Sequence, residues 1–129
     1  MKVKIYYHHT DCGGVVYYAS YLQFLEEART EFLALRAIDL KRLSEAGRFF
    51  VVARQEADYK SPAFYGDILN IDTRVNAVSA VRIDLAHTVK NQTGSTVIEA
   101  RTVLAFVDRD FKPCALPGEM RKKIGDAEK

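Results

Sequence analysis

The sequence predicts an α+β fold in which one long helix packs on an antiparallel sheet. Three observations carry this. One stretch, Tyr21 to Leu35, repeats its apolar residues at helical spacing. From Phe49 onward the chain reads as strands, the middle ones alternating apolar and polar residues with a period of two. The links between those strands are of hairpin length, too short for the crossover that parallel strands need.

Taken in order, residues 2–9 read as a first strand rich in Val3, Ile5, Tyr6 and Tyr7. A loop follows over Thr10-Asp11-Cys12-Gly13-Gly14, whose paired glycines permit backbone angles that other residues resist. The long helix has a stripe of Tyr21, Leu25, Ala28, Phe32 and Leu35, widened by Leu22, Phe24 and Leu33. So broad an apolar face predicts a helix nearly surrounded by protein. Ser20 and Gln23 have the spacing of a capping box, with a start two residues earlier as the alternative. A short second helix is expected from Asp39, an N-cap type, to Ala46, ending at Gly47.

Four strands are then expected over residues 49–59, 67–75, 81–90 and 96–107, with Asn91-Gln92-Thr93-Gly94 as the turn before the last. The charged tail from Gly118 to Lys129 is expected to fray beyond one helical turn. With 129 residues and no repeat or linker, the chain is read as one domain over 1–129.

Composition excludes several function classes. A content of 48% hydrophobic and 28% charged residues is that of an ordinary globular protein, and no window has the apolar length of a membrane-spanning helix. A formal charge of +2, with scattered basic residues, argues against nucleic acid. Cys12 and Cys114 make no disulfide framework and no zinc spacing. With no signal segment, the reading is a reduced, cytoplasmic protein.

The chemistry sits in Asp11-Cys12-Gly13-Gly14-Val15-Val16-Tyr17-Tyr18-Ala19-Ser20-Tyr21. A carboxylate on a glycine-bearing loop precedes a helix N-terminus, where backbone N–H groups lack intrahelical partners and carry partial positive charge. Such an end polarises a carbonyl and stabilises an oxyanion. The carboxylate beside it attacks that carbon or takes a proton from water. An alkyl thiol, with a pKa of about 8.5 by analogy with cysteine, departs without a strong general acid, whereas an amide nitrogen does not. This minimal site suits a thioester. An Asp in a glycine turn with no chemical role is the bland alternative.

The run from Thr10 to Tyr21, with Glu26-Glu27-Ala28-Arg29-Thr30-Glu31 after it, closely resembles the 4-hydroxybenzoyl-CoA thioesterase family, and most of all its YbgC-like branch, associated with the Tol–Pal system. The likeness continues through Tyr59-Lys60-Ser61-Pro62-Ala63, Tyr65-Gly66-Asp67, Asp108, Lys112-Pro113 and Leu116-Pro117. It implies a hotdog fold, a curved antiparallel sheet wrapped around one long helix, in dimers that often pair into tetramers. It also implies hydrolysis of acyl-CoA without metal or organic cofactor; whether CoA or acyl carrier protein carries the acyl group stays open. Asp11 falls on the family's catalytic aspartate. Tyr18 falls on the residue whose backbone N–H faces the thioester carbonyl, at a position where the branch commonly carries His. Gly14, Val16 and Tyr17 are the expected substrate-binding residues, with Lys60 a candidate for the CoA phosphates.

His8 and His9, as strand neighbours, point to opposite faces and are not expected to chelate one ion. Cys12 has no marked partner for a thiol mechanism. His87, on the apolar face of its strand, reads as a satisfied core histidine. Two rival functions are a non-hydrolytic acyl-binding scaffold, which Asp11 argues against, and a hotdog dehydratase. The dehydratase would want a histidine between Gly13 and Leu35, and none is there.

Overall fold

The computed structural model describes residues 1–125. Its elements run β1 (Lys2–Lys4), α1 (Ser20–Leu35), α2 (Leu40–Glu45), β2 (Phe49–Tyr59), β3 (Ile68–Val78), β4 (Arg82–Lys90), β5 (Thr96–Val107) and α3 (Gly118–Ile124), with a single 3-10 turn at Tyr7–His9. The five strands form one antiparallel sheet in the order β1-β3-β4-β5-β2, curved around α1. This is the hotdog arrangement that the resemblance implied.

The sheet's inner face carries one residue of each alternating pair. Ile71, Val89 and Ile98 meet Phe24, Leu25 and Ala28 of α1, while Val75, Leu85 and Leu104 meet Phe32 and Leu33. The outer face is charged, and the Arg101 guanidinium donates to both oxygens of Asp84 at 2.7–3.0 Å. At the β4–β5 hairpin, Asn91 Oδ1 accepts from Thr93 and Ser95, and Gly94 takes a φ of 85°. The expected turn is there, built by an Asx-type side chain.

Several expectations are corrected. The first strand stops at Lys4, because Tyr6 N–H donates to His9 Nδ1 at 2.9 Å and closes the 3-10 turn that follows. His8 and His9 therefore do not alternate across a strand; their rings lie 4.0 Å apart. Leu35 is 86% exposed rather than part of the packed stripe. The helix ends there, the chain turns at Arg36–Ala37, and Ile38 enters the core instead. Ser20 makes no capping box: it lies inside α1 after Ala19, and its hydroxyl donates to His9 O at 3.4 Å. Asp39 does cap α2, accepting from Lys41 and Arg42 N–H.

The tail does not fray after one turn. Met120 and Ile124 of α3 are buried against Ile38, Leu116 and Phe32. The expectation for residues 126–129 lies outside the described residues.

Candidate active site

Asp11 sits in a tight loop stitched by its own backbone. Asp11 N–H donates to Val15 O at 2.9 Å, and Gly14 N–H donates to Asp11 O at 3.0 Å. Its carboxylate accepts from Gly13 N–H at 2.8 Å, which orients one oxygen and leaves the other without a hydrogen bond among the described residues. Gly14 holds a φ of 82°, the left-handed region that glycine enters without strain. At Gly13 the requirement is steric: a Cβ would stand 3.1 Å from Asp11 Oδ1.

The loop is tied to the start of α1 through His9. Its carbonyl accepts from Tyr17 N–H at 2.9 Å and from the Ser20 hydroxyl, and its ring meets Phe24 edge-on. Burial, and then His8, lower the His9 pKa, with Glu27 opposing. Among the described residues, Tyr18 N–H has no acceptor. It lies two residues ahead of α1, where the helix's partial positive charge is felt. The Tyr17 phenol pKa is raised, mainly by Tyr18 and more weakly by the Asp11 carboxylate.

The expected residues divide by what they offer. Asp11, Gly14, Tyr17 and Tyr18 are exposed around one loop. Val16 is not a surface group: its side chain is buried and its N–H is taken by Ala63 O at 2.8 Å. Lys60 is exposed and follows Tyr59 at the end of β2. Cys12 is exposed and unpaired with Cys114. Among the described residues no group of three His, Cys, Asp or Glu side chains is placed to hold a metal ion.

Three residues escape the sequence reading. The Tyr59 hydroxyl donates to Tyr18 O at 3.4 Å, and its ring meets those of Tyr18 and Tyr21. Burial and then Tyr59 push the Tyr21 phenol up to about 12. His9 anchors the helix start by its carbonyl, which no side-chain pattern announces. Arg29 stands on the buried stripe of α1, and that position was a readable signal. His87 is satisfied at one nitrogen only: Thr73 Oγ1 is 3.0 Å from Nδ1, and buried Nε2 has no partner among the described residues.

A curved antiparallel sheet wrapped around one long helix matches the hotdog fold of thioesterase structures. The chain belongs to the thioesterase-like superfamily, whose family model matches residues 6–124. Within it, the chain is closely related to the YbgC group of hotdog acyl-CoA thioesterases. It is 35% identical over 116 residues to the acyl-CoA thioester hydrolase YbgC of Escherichia coli O6:H1, covering 89% of this chain and 87% of the relative. It is 37% identical over 121 residues to the acyl-CoA thioesterase YbgC of Haemophilus influenzae, covering 92% and 88%. In fold it matches a probable thioesterase from Bartonella henselae with a TM-score of 0.85 and 30% identity, covering 91% of this chain and 97% of that one. It also matches a 1,4-dihydroxy-2-naphthoyl-CoA thioesterase from Synechocystis with a TM-score of 0.89 and 23% identity, covering 96% and 93%.

Proposed function

We propose that this protein is a single-domain enzyme over residues 1–129 that hydrolyses the thioester of an acyl-CoA, with Asp11 and the Tyr18 N–H as its working pair. The observation that carries the reading is the unpaired Tyr18 N–H just ahead of α1, in the same short run as the exposed Asp11 carboxylate.

In this mechanism the thioester carbonyl oxygen accepts from Tyr18 N–H. Asp11 either attacks the carbonyl carbon or takes a proton from the water that does. Negative charge on the carbonyl oxygen is then held by the N–H and the helix end. The C–S bond breaks, CoA leaves as thiolate, and the acid is released; on the covalent route, water first cleaves the acyl-Asp11 anhydride. Gly14 and Tyr17 border the thioester, Val16 holds the loop to the core, and Lys60 meets a CoA phosphate.

Two chains pair along β2, the long strand at the edge of the sheet beside β5. Edges of this kind are normally covered. Half-exposed Val52 and Tyr59 on β2, and Leu22 on α1, fit burial in such a dimer, two of which form a tetramer. The reading places the enzyme in the cytoplasm, with acyl carrier protein as a further donor of acyl groups. No helix among the described residues is long and apolar enough to cross a membrane.

The test is thiol release from a panel of short, long and aromatic acyl-CoAs by wild-type and Asp11→Asn protein. Asp11→Asn is expected to fold and bind substrate but lose on the order of 10²-fold or more in kcat. Retention of a third of the wild-type kcat would remove Asp11 from the mechanism.

A further inference from the structure

His9 works through its ring as well as its backbone. Tyr6 N–H donates to His9 Nδ1 at 2.9 Å, and His9 N–H donates to Tyr6 O at 3.0 Å. The two bonds close the 3-10 turn at Tyr7–His9 as a capping box does, with the imidazole in the place of the usual Glu or Gln side chain. A backbone N–H only donates. Nδ1 therefore carries a lone pair, the ring is neutral, and its proton sits on Nε2. The Phe24 ring packs edge-on against the imidazole, with centroids 5.0 Å apart.

The carbonyl of the same residue reaches the start of α1. It accepts from Tyr17 N–H at 2.9 Å and from the Ser20 hydroxyl at 3.4 Å, while Ser20 N–H donates to Tyr17 O at 2.9 Å. Tyr17 is thus held at its N–H and at its carbonyl. That carbonyl shares one planar trans peptide with the Tyr18 N–H, and in such a peptide N–H and C=O point in opposite directions. Because Tyr17 O is turned toward Ser20 N, the Tyr18 N–H is turned away from it. The direction of this donor is set by a chain of contacts that begins at an imidazole.

We propose that His9 is a positioning residue of the thioester site: its neutral ring, by holding Tyr6 N–H, sets the carbonyl that fixes the peptide bearing the Tyr18 N–H. This rests on the thioesterase reading above. Protonation of the ring puts a proton on Nδ1, opposite Tyr6 N–H, so two donors face each other and the cap opens. The His9 carbonyl loosens with the turn, and the oxyanion donor loses its aim. Burial first, and then His8 in the same turn, hold the ring's pKa below the ordinary 6.5, with Glu27 on α1 opposing. The other rings against it are those of Tyr6 and Phe24. The clamp is accordingly closed at neutral pH and opens on the acid side.

The experiment follows thiol release from the best acyl-CoA of the panel between about pH 5 and about pH 8, the range in which histidine titrates. His9→Phe keeps a ring against Phe24 and loses the acceptor. It should fold and lower kcat by about 10- to 100-fold with KM within about twofold, since a donor misplaced by up to about 1 Å costs the chemical step. His9→Gln supplies an acceptor that does not titrate, and it should recover most of that loss. Wild-type kcat should fall as His9 takes up its proton, and the His9→Gln profile should lack that limb. Wild-type kcat in folded His9→Phe, no recovery in His9→Gln, or a wild-type acid limb in His9→Gln overturns the positioning role and leaves the thioesterase standing. If no acyl-CoA releases thiol, the thioesterase reading falls, and amide exchange at Tyr17 followed by NMR decides the clamp alone. Protection that drops on the acid side in wild type and not in His9→Gln upholds it, and equal profiles overturn it.

Discussion

Replacing Gly13 with alanine tests how closely the loop holds the Asp11 carboxylate. The added Cβ would stand 3.1 Å from Asp11 Oδ1, tighter than an ordinary carbon–oxygen contact. The carboxylate is the free end of a side chain, so it gives way by a few tenths of an ångström while the backbone stays. That displacement stretches the 2.8 Å bond from Gly13 N–H and swings the other carboxylate oxygen, the one that acts on the thioester in the proposed mechanism. A misplacement of about 1 Å costs on the order of 10²-fold, so a few tenths should cost roughly three- to tenfold in kcat.

The neighbouring glycine supplies the contrast. At Gly14 a Cβ meets nothing within 4 Å, but the φ of 82° strains any other residue. Gly14→Ala should therefore lower stability by about 1–2 kcal/mol, which for a domain of this size is a Tm fall of roughly 3–10 °C. Thermal unfolding and steady-state thiol release on both variants separate the effects. Gly13→Ala with wild-type kcat, or with a Tm loss as large as that of Gly14→Ala, would refute the idea that Gly13 exists to make room for the carboxylate.

Three further outcomes are expected. Tyr18→Phe should stay within about threefold of wild type, because the useful group is the N–H, whereas Tyr18→Pro, checked for folding by circular dichroism, should lose roughly 10²–10³ in kcat. His87 has a folded pKa of about 4 against 6.5 when unfolded, so the unfolded state binds more protons between those values. Stability present above pH 6.5 is thus lost as pH falls toward 4, by roughly 2 kcal/mol between pH 7 and pH 5; denaturant titrations should show a flatter profile for His87→Leu, and an unchanged one would remove His87 as the cause. Light scattering on a sizing column should show no substantial monomer at micromolar concentration, and a fully active monomer would contradict pairing along β2.

Much of this protein was legible without its structure, because local rules decided it. The α1 stripe, the Asp39 cap, the strands after Phe49 and the Asn91–Gly94 turn each follow from residues within one or two turns of one another. The candidate pair, Asp11 and Tyr18, was legible for the same reason: both lie in one short run whose pattern resembles a family. Tertiary structure decided whatever depended on distant partners. Leu35 is apolar and in phase with its helix, yet it is exposed because the chain turns and Ile38 takes its place. The tail looks solvated by composition, yet Met120 and Ile124 find a hydrophobic floor that only the folded sheet provides. Tyr59 reaches Tyr18 across 41 residues because β2 returns along β5 to the start of α1. Thr73 and His87 meet at 3.0 Å only because β3 and β4 pair in that register, and periodicity along a chain carries no information about which faces will meet.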